Sequence, residues 1–143
     1  MKATQNPPTA AQVTPADVLR MAALYLRRHG WHQGTYYALT EDDNPFPPAC
    51  VAGAIGMAAH GHLNSVPHQH SNARDYSRAL DALSCYLLDA GPDPVRLYGD
   101  DVPNGDPFEW NDRPGRTAEQ VTTALDAAAD EWDRLHTDGG DNR

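Results

Sequence analysis

The chain has 143 residues, of which 40% are hydrophobic, and carries 11 Lys and Arg against 20 Asp and Glu, a net charge of −9 with histidines neutral. That length accommodates one domain with a real core rather than two. So acidic a balance excludes non-specific nucleic-acid binding, which rests on clustered Lys and Arg. The acids are also scattered, not ordered into the array that a nucleic-acid mimic needs. Two cysteines, Cys50 and Cys85, make no disulfide framework. Residues 1–13 lack the apolar core of a signal peptide, and no stretch approaches the roughly 20 apolar residues of a membrane span. The expectation is a cytoplasmic protein without membrane association.

Residues 1–13 are polar and proline-containing and read as a disordered arm, ahead of a helical domain over 14–136 and a Gly- and Asp-rich tail over 137–143. The first helix is announced by Thr14 as cap, Pro15 at the first helical position and Asp17 in the first turn, where the dipole favours it. Val18, Ala22, Tyr25 and Leu26 share one face, and Gly30 closes the helix. Residues 31–48 read as an irregular connection with Gly34, the Tyr36-Tyr37 pair, a solvated acidic run Glu41-Asp42-Asp43 and three prolines. Within it, 35–39 suits a short extended piece. A second helix follows over about 49–60, ended by Gly61, with Cys50, Gly53, Ala54 and Met57 on one face. Small residues at that spacing let another helix approach, although two glycines lower the intrinsic propensity.

A polar loop over 62–71 precedes a third helix capped by Ser71 or Asn72, on which Tyr76, Leu80, Leu83 and Leu87 repeat at helical spacing. Cys85, inside that helix, reads as core. Gly91 and Pro92 end it. The stretch 94–115 is turn-rich, with Val95, Leu97 and Tyr98 apolar enough to pack down. It leads into Trp110-Asn111-Asp112-Arg113-Pro114-Gly115-Arg116-Thr117, a tight polar turn that opens the fourth helix. There Thr117 caps, Gln120 completes a capping box, and Val121, Leu125, Ala128, Trp132 and Leu135 line one side. The expected fold is all-α: a single-domain bundle of about four helices with two long irregular loops.

Three groups of side chains bear on chemistry. Cys50 sits near a helix N-terminus, where the dipole favours a thiolate. A nucleophile would also need a base, His32 or His60, and an orienter, Asn111 or Asp112. The plainer reading is a small buried residue, since free cysteine is among the most buried types. In the 110–117 turn, Asn111 and Asp112 suit the capture of backbone N–H groups, and Arg116 suits pairing with Asp112 or another acid. The functional reading of the same residues is a ligand surface made by Trp31, Tyr36, Tyr37, Trp110, Asn111, Asp112 and Arg116. Finally, His60, His62, His68 and His70 form an H-x-H…H-x-H arrangement that suits Zn, Ni or Cu. It follows no recognised zinc spacing, and no cysteine completes it. No Walker loop, G-x-G-x-x-G, H-E-x-x-H or G-x-S-x-G is present.

Gly30-Trp31 followed by Gly34, Cys50 with Gly53-Ala54, and Asn111-Asp112 with Gly115-Arg116-Thr117 opening a Val-bearing helix form a combination. With it the chain resembles a family of small uncharacterised proteins of actinobacteria and their phages. The resemblance covers about 14–129. It implies a compact helical fold and transfers no activity, because such members are described as domains of unknown function. The histidine loop is not part of the shared pattern.

With no complete catalytic set in view, the leading expectation is a non-enzymatic binding or regulatory module without a cofactor. Its partner would be a protein, peptide or small molecule, met at a corner where the 31–34 turn, the Cys50 helix and the 110–117 turn converge. A cysteine-dependent hydrolase or transferase using Cys50 is the alternative, and a metal-binding role for the histidine loop the third.

Overall fold

Cap chemistry sets the first helix where the sequence places it. In the computed structural model, which describes residues 13–40, 44–61, 73–90 and 106–137, α1 spans Pro15–His29. Thr14 Oγ1 accepts from the Asp17 N–H at 3.0 Å, and Asp17 Oδ2 accepts from the Thr14 N–H at 3.1 Å. Two N-terminal donors are thereby satisfied reciprocally. Val18, Ala22 and Leu26 are buried along one stripe, and Tyr25, half-buried beside them, donates its hydroxyl proton to the Pro47 carbonyl at 2.6 Å.

Four further helices follow: α2 (Val51–His60), α3 (Ala73–Ala90), α4 (Pro107–Asp112) and α5 (Ala118–Thr137). The described residues hold no strand, and the fold is all-α. The short extended piece survives only as two isolated bridges, Tyr37 and Trp31 each pairing with Ala49.

α1 packs most extensively on α5. Arg20 pairs with Asp130 and Asp133, and Arg27 with Asp126, so numbers rise along one helix as they fall along the other. The two helices therefore run antiparallel. These pairs are exposed and add little stability. What holds the bundle is apolar burial: one core joins Leu19, Ile55, Leu83, Trp110 and Leu125 with an unusual number of alanines. Alanine at the contacts lets helix backbones approach closely.

α2 departs from the amphipathic expectation. Every residue from Val51 to Met57 is buried, not one face alone. A helix apolar all round belongs in the interior, and here α1, α3 and α4 enclose it.

Other expectations need correcting. The stretch before Thr117 is not one long turn, because Asp106 caps α4 through the Phe108 N–H at 3.0 Å and Pro107 occupies its first position. Among the described residues the bundle thus has the four longer helices expected, with α4 as a short fifth of six residues. Cys85 is exposed, not core, and Leu135 is 59% exposed, on the open groove between α3 and α5. α5 starts as expected, with Thr117 Oγ1 accepting from the Gln120 N–H at 3.1 Å and Gln120 Oε1 accepting from the Thr117 N–H at 3.0 Å. No helix among the described residues is long and apolar enough to cross a membrane. The acidic run Glu41-Asp42-Asp43, the Ser71 and Asn72 caps, the Gly91-Pro92 stop, the apolar 95–98 segment and both terminal stretches lie outside the described residues.

Candidate functional site

Asn111 is the hub on which three distant segments meet. It lies in α4 and is fully buried. Its Oδ1 accepts from Trp31 Nε1 at 2.7 Å and from the Val51 N–H at 2.9 Å, while its Nδ2 donates to the His32 carbonyl at 3.2 Å and to Asp112 Oδ1 at 2.9 Å. An indole N–H and a backbone N–H only donate, and a carbonyl and an ionised carboxylate only accept. The partners therefore fix which end of the amide is which. All four hydrogen-bonding positions of the side chain are filled, so Asn111 itself has nothing left for a ligand.

Asp112 extends the hub across the loop. Its Oδ1 accepts from the Gly34 N–H at 3.0 Å as well as from Asn111. Gly34 holds φ at +102°, a region that side-chain-bearing residues rarely adopt. Gln33 closes the same seam, its Nε2 donating to the carbonyls of Asn111 and Arg113 at 3.0 and 3.1 Å. The convergence of the 31–34 turn, the Cys50 helix and the 110–117 segment is thus direct contact. Asp112 does not capture the local N–H groups of residues 113–115, as the turn chemistry suggests; its donors come from 78 residues away and from Asn111.

Cys50 caps α2, its Sγ accepting from the Gly53 N–H at 3.3 Å, and its own N–H donates to the Tyr36 carbonyl at 2.9 Å. Gly53 makes this seam possible: a Cβ there would lie 2.2 Å from the Tyr36 carbonyl oxygen. Burial pushes the Cys50 thiol up, the N–H groups of Gly53 and Ala52 pull it down, and Asp112 adds to the rise; no histidine figures among the causes. The helix terminus does not overcome desolvation, so the sulfur is a thiol at neutral pH. His32 Nε2 is engaged with Thr35 Oγ1 at 2.9 Å, and His60, buried in α2, stacks on Tyr76. Among the described residues no nucleophile–base pair is assembled at Cys50.

The two thiols should therefore react in the order opposite to a Cys50 nucleophile. With a neutral disulfide reagent on the folded chain, Cys85 should react at the rate of an ordinary exposed thiol and Cys50 at least about tenfold more slowly. Faster labelling of Cys50, mapped by peptide mass, would restore the nucleophile reading.

The aromatic candidates separate. Trp110 is 2% exposed and belongs to the core, not to a surface platform. Arg116 lies over its ring at 4.2 Å from the centroid and donates Nε to the Trp110 carbonyl at 2.9 Å. That cation–π contact on a buried ring ties α5 to α4. Trp31 is half-buried and anchored on Asn111. Tyr36 and Tyr37 remain half-buried, with ring centroids 6.1 Å apart.

Beside the hub opens a cleft of about 270 Å³ lined by Gly34, Thr35, Tyr36, Cys50, Phe108, Asn111 and Asp112. Tyr36 and Phe108 meet edge-to-face at 6.0 Å and form one wall. Phe108, Thr35 and Gln33 escaped the sequence reading. Asp106-Pro107 as a helix start would have revealed the first, because it places Phe108, Asn111 and Asp112 at i, i+3 and i+4 on one face. A second groove of about 340 Å³ runs between α3 and α5 past Cys85, Tyr86 and Trp132. Of the metal candidates, His60 is described and His62, His68 and His70 lie outside the described residues. Among the described residues no group of three His, Cys, Asp or Glu is arranged to hold a metal ion.

The chain belongs to a family of unknown function, DUF6197, whose model matches residues 10–131. The match takes in α1 to α4, the hub and most of α5. No curated protein and no solved structure matches the chain.

Proposed function

We propose that the chain is a non-catalytic binding module that takes a small ligand, or a single side chain of a peptide or protein, in the cleft beside Asn111. One observation carries the reading. The Asn111 amide and the Gly34 and Val51 N–H groups around the cleft are satisfied within the protein, which makes the walls rigid, and yet a cavity remains open between them. A pre-formed, mostly apolar cavity with few polar groups is the usual form of a ligand site. Its volume of about 270 Å³ falls at or below the low end of the range for drug-sized ligands, roughly 300–1,000 Å³, which points to a small group. Catalysis at Cys50 is the weaker reading, because the thiol is buried, protonated and without an assembled base.

The test is a fragment titration followed by amide chemical shifts. Small aromatic fragments should shift the resonances of residues 34–36, 50, 108 and 112 with dissociation constants near about 1 mM, as expected for ligands of so few atoms. Thr35→Trp, an exposed position lining the cleft, should abolish those shifts while leaving the far-ultraviolet spectrum in place. Shifts that survive the filled cleft, or that map elsewhere, would remove this site.

A further inference from the structure

We infer that the group taken into this cleft is a cation, an ammonium or guanidinium on a short apolar or aromatic stem, held by Asp112. The inference rests on the binding reading above and specifies its ligand. Three observations support it independently.

First, the donors at the α2 N-terminus and at Gly34 that would greet an anion are already engaged. The α2 N-terminus faces this corner, and a helix N-terminus ordinarily favours negative charge. Here, however, the Cys50 N–H goes to Tyr36, the Val51 N–H to Asn111, the Gly53 N–H to the Cys50 sulfur, and the Gly34 N–H to Asp112. Thr35 Oγ1 donates to the Tyr37 carbonyl at 2.9 Å. An incoming carboxylate or phosphate at the α2 N-terminus would have to break one of these bonds.

Second, the acceptor side has capacity left. Asp112 places both its described hydrogen bonds on Oδ1, and Oδ2 has no partner among the described residues. It is the one charged side chain among the described residues that line the cleft. Asp106 and Glu109 stand on the same short helix, and the chain as a whole carries −9. Arg116, a buried cation, lies over the Trp110 ring.

Third, the remaining wall suits a cation on an apolar stem. The ring faces of Tyr36 and Phe108 carry the negative part of the aromatic quadrupole. A charge-assisted hydrogen bond at the rim and a ring beside the stem are complementary to an arylalkyl ammonium, and to the end of a lysine or arginine side chain.

Three isosteric probes decide the matter at constant ionic strength on the full chain: phenethylammonium, 2-phenylethanol and phenylacetate. The ammonium should bind in the cleft about tenfold more tightly than the alcohol, and phenylacetate should leave the cleft resonances unmoved. Asp112→Asn keeps an oxygen for Gly34 and Asn111 but removes the charge, so it should erase the preference for the ammonium over the alcohol. Equal binding of ammonium and alcohol would overturn the inference and leave the binding reading standing. The same holds for a preference that survives Asp112→Asn, or for tightest binding of phenylacetate. If none of the three probes shifts residues 34–36, 108 or 112, both readings fall together.

Discussion

Asn111→Ala should lower the unfolding free energy by about 2–4 kcal/mol and the melting temperature by roughly 10 °C. The substitution removes one acceptor and one donor group at a fully buried position. It leaves Trp31 Nε1, the Val51 N–H and the His32 carbonyl without that partner. Each unsatisfied buried group costs about 1–3 kcal/mol, less where water can reach it. Trp31 and His32 are half-buried and partly rescued; Val51 is not. Against a total stability of about 5–15 kcal/mol the loss is large. Asn111→Asp should do no better at neutral pH, because a carboxylate oxygen would then face both the His32 carbonyl and Asp112. A change below about 1 kcal/mol in urea unfolding, with the slope unaltered, would show that the hub does not hold the three segments.

Gly53→Ala should also destabilise, by about 2–3 kcal/mol, against the ordinary sign for a helical glycine. In an exposed helix interior that change gains up to about 1 kcal/mol, since alanine loses less entropy on folding. At this position the added methyl would come within 2.2 Å of the Tyr36 carbonyl oxygen and 3.2 Å of the Ala49 Cβ. The obstacle is backbone rather than the tip of a flexible side chain. Either the 31–37 loop lifts, breaking the Cys50–Tyr36 bond, or α2 moves within a packed core; overpacking of this kind costs about 1–3 kcal/mol. Stabilisation by Gly53→Ala would mean that the loop is not docked on α2 in solution, and the cleft wall formed by Tyr36 would be lost with it.

How much of this was legible beforehand follows from the range of each interaction. Caps act over three or four residues, and Thr14, Asp17, Thr117 and Gln120 all stand as their local pattern implies. The meeting of the 31–34, Cys50 and 110–117 segments was suggested by their shared density of distinctive side chains. The partners themselves were not legible. Asn111 and Asp112 look like turn residues because such side chains usually capture neighbouring N–H groups, but here most of their donors lie 60 to 80 residues away. Helical spacing identifies a face without saying whether a neighbour covers it. That is why Leu135 and Cys85 read as core and are exposed, while Trp110, a platform in the ligand-surface reading, is buried. α4 was missed for another reason: at six residues it is too short to show a period, and only Asp106-Pro107 marks it.

The Asn111 hub stands beside the proposed ligand cleft, and a crystal structure of the chain with phenethylammonium tests that union most directly. The ammonium should lie about 2.7–2.9 Å from Asp112 Oδ2, the usual length of such a charged hydrogen bond. Its ring should rest against Tyr36 and Phe108, with the Asn111 bonds to Trp31 and Val51 unchanged. Electron density for the ligand in the groove between α3 and α5 instead, with the cleft beside Asn111 empty, would contradict it.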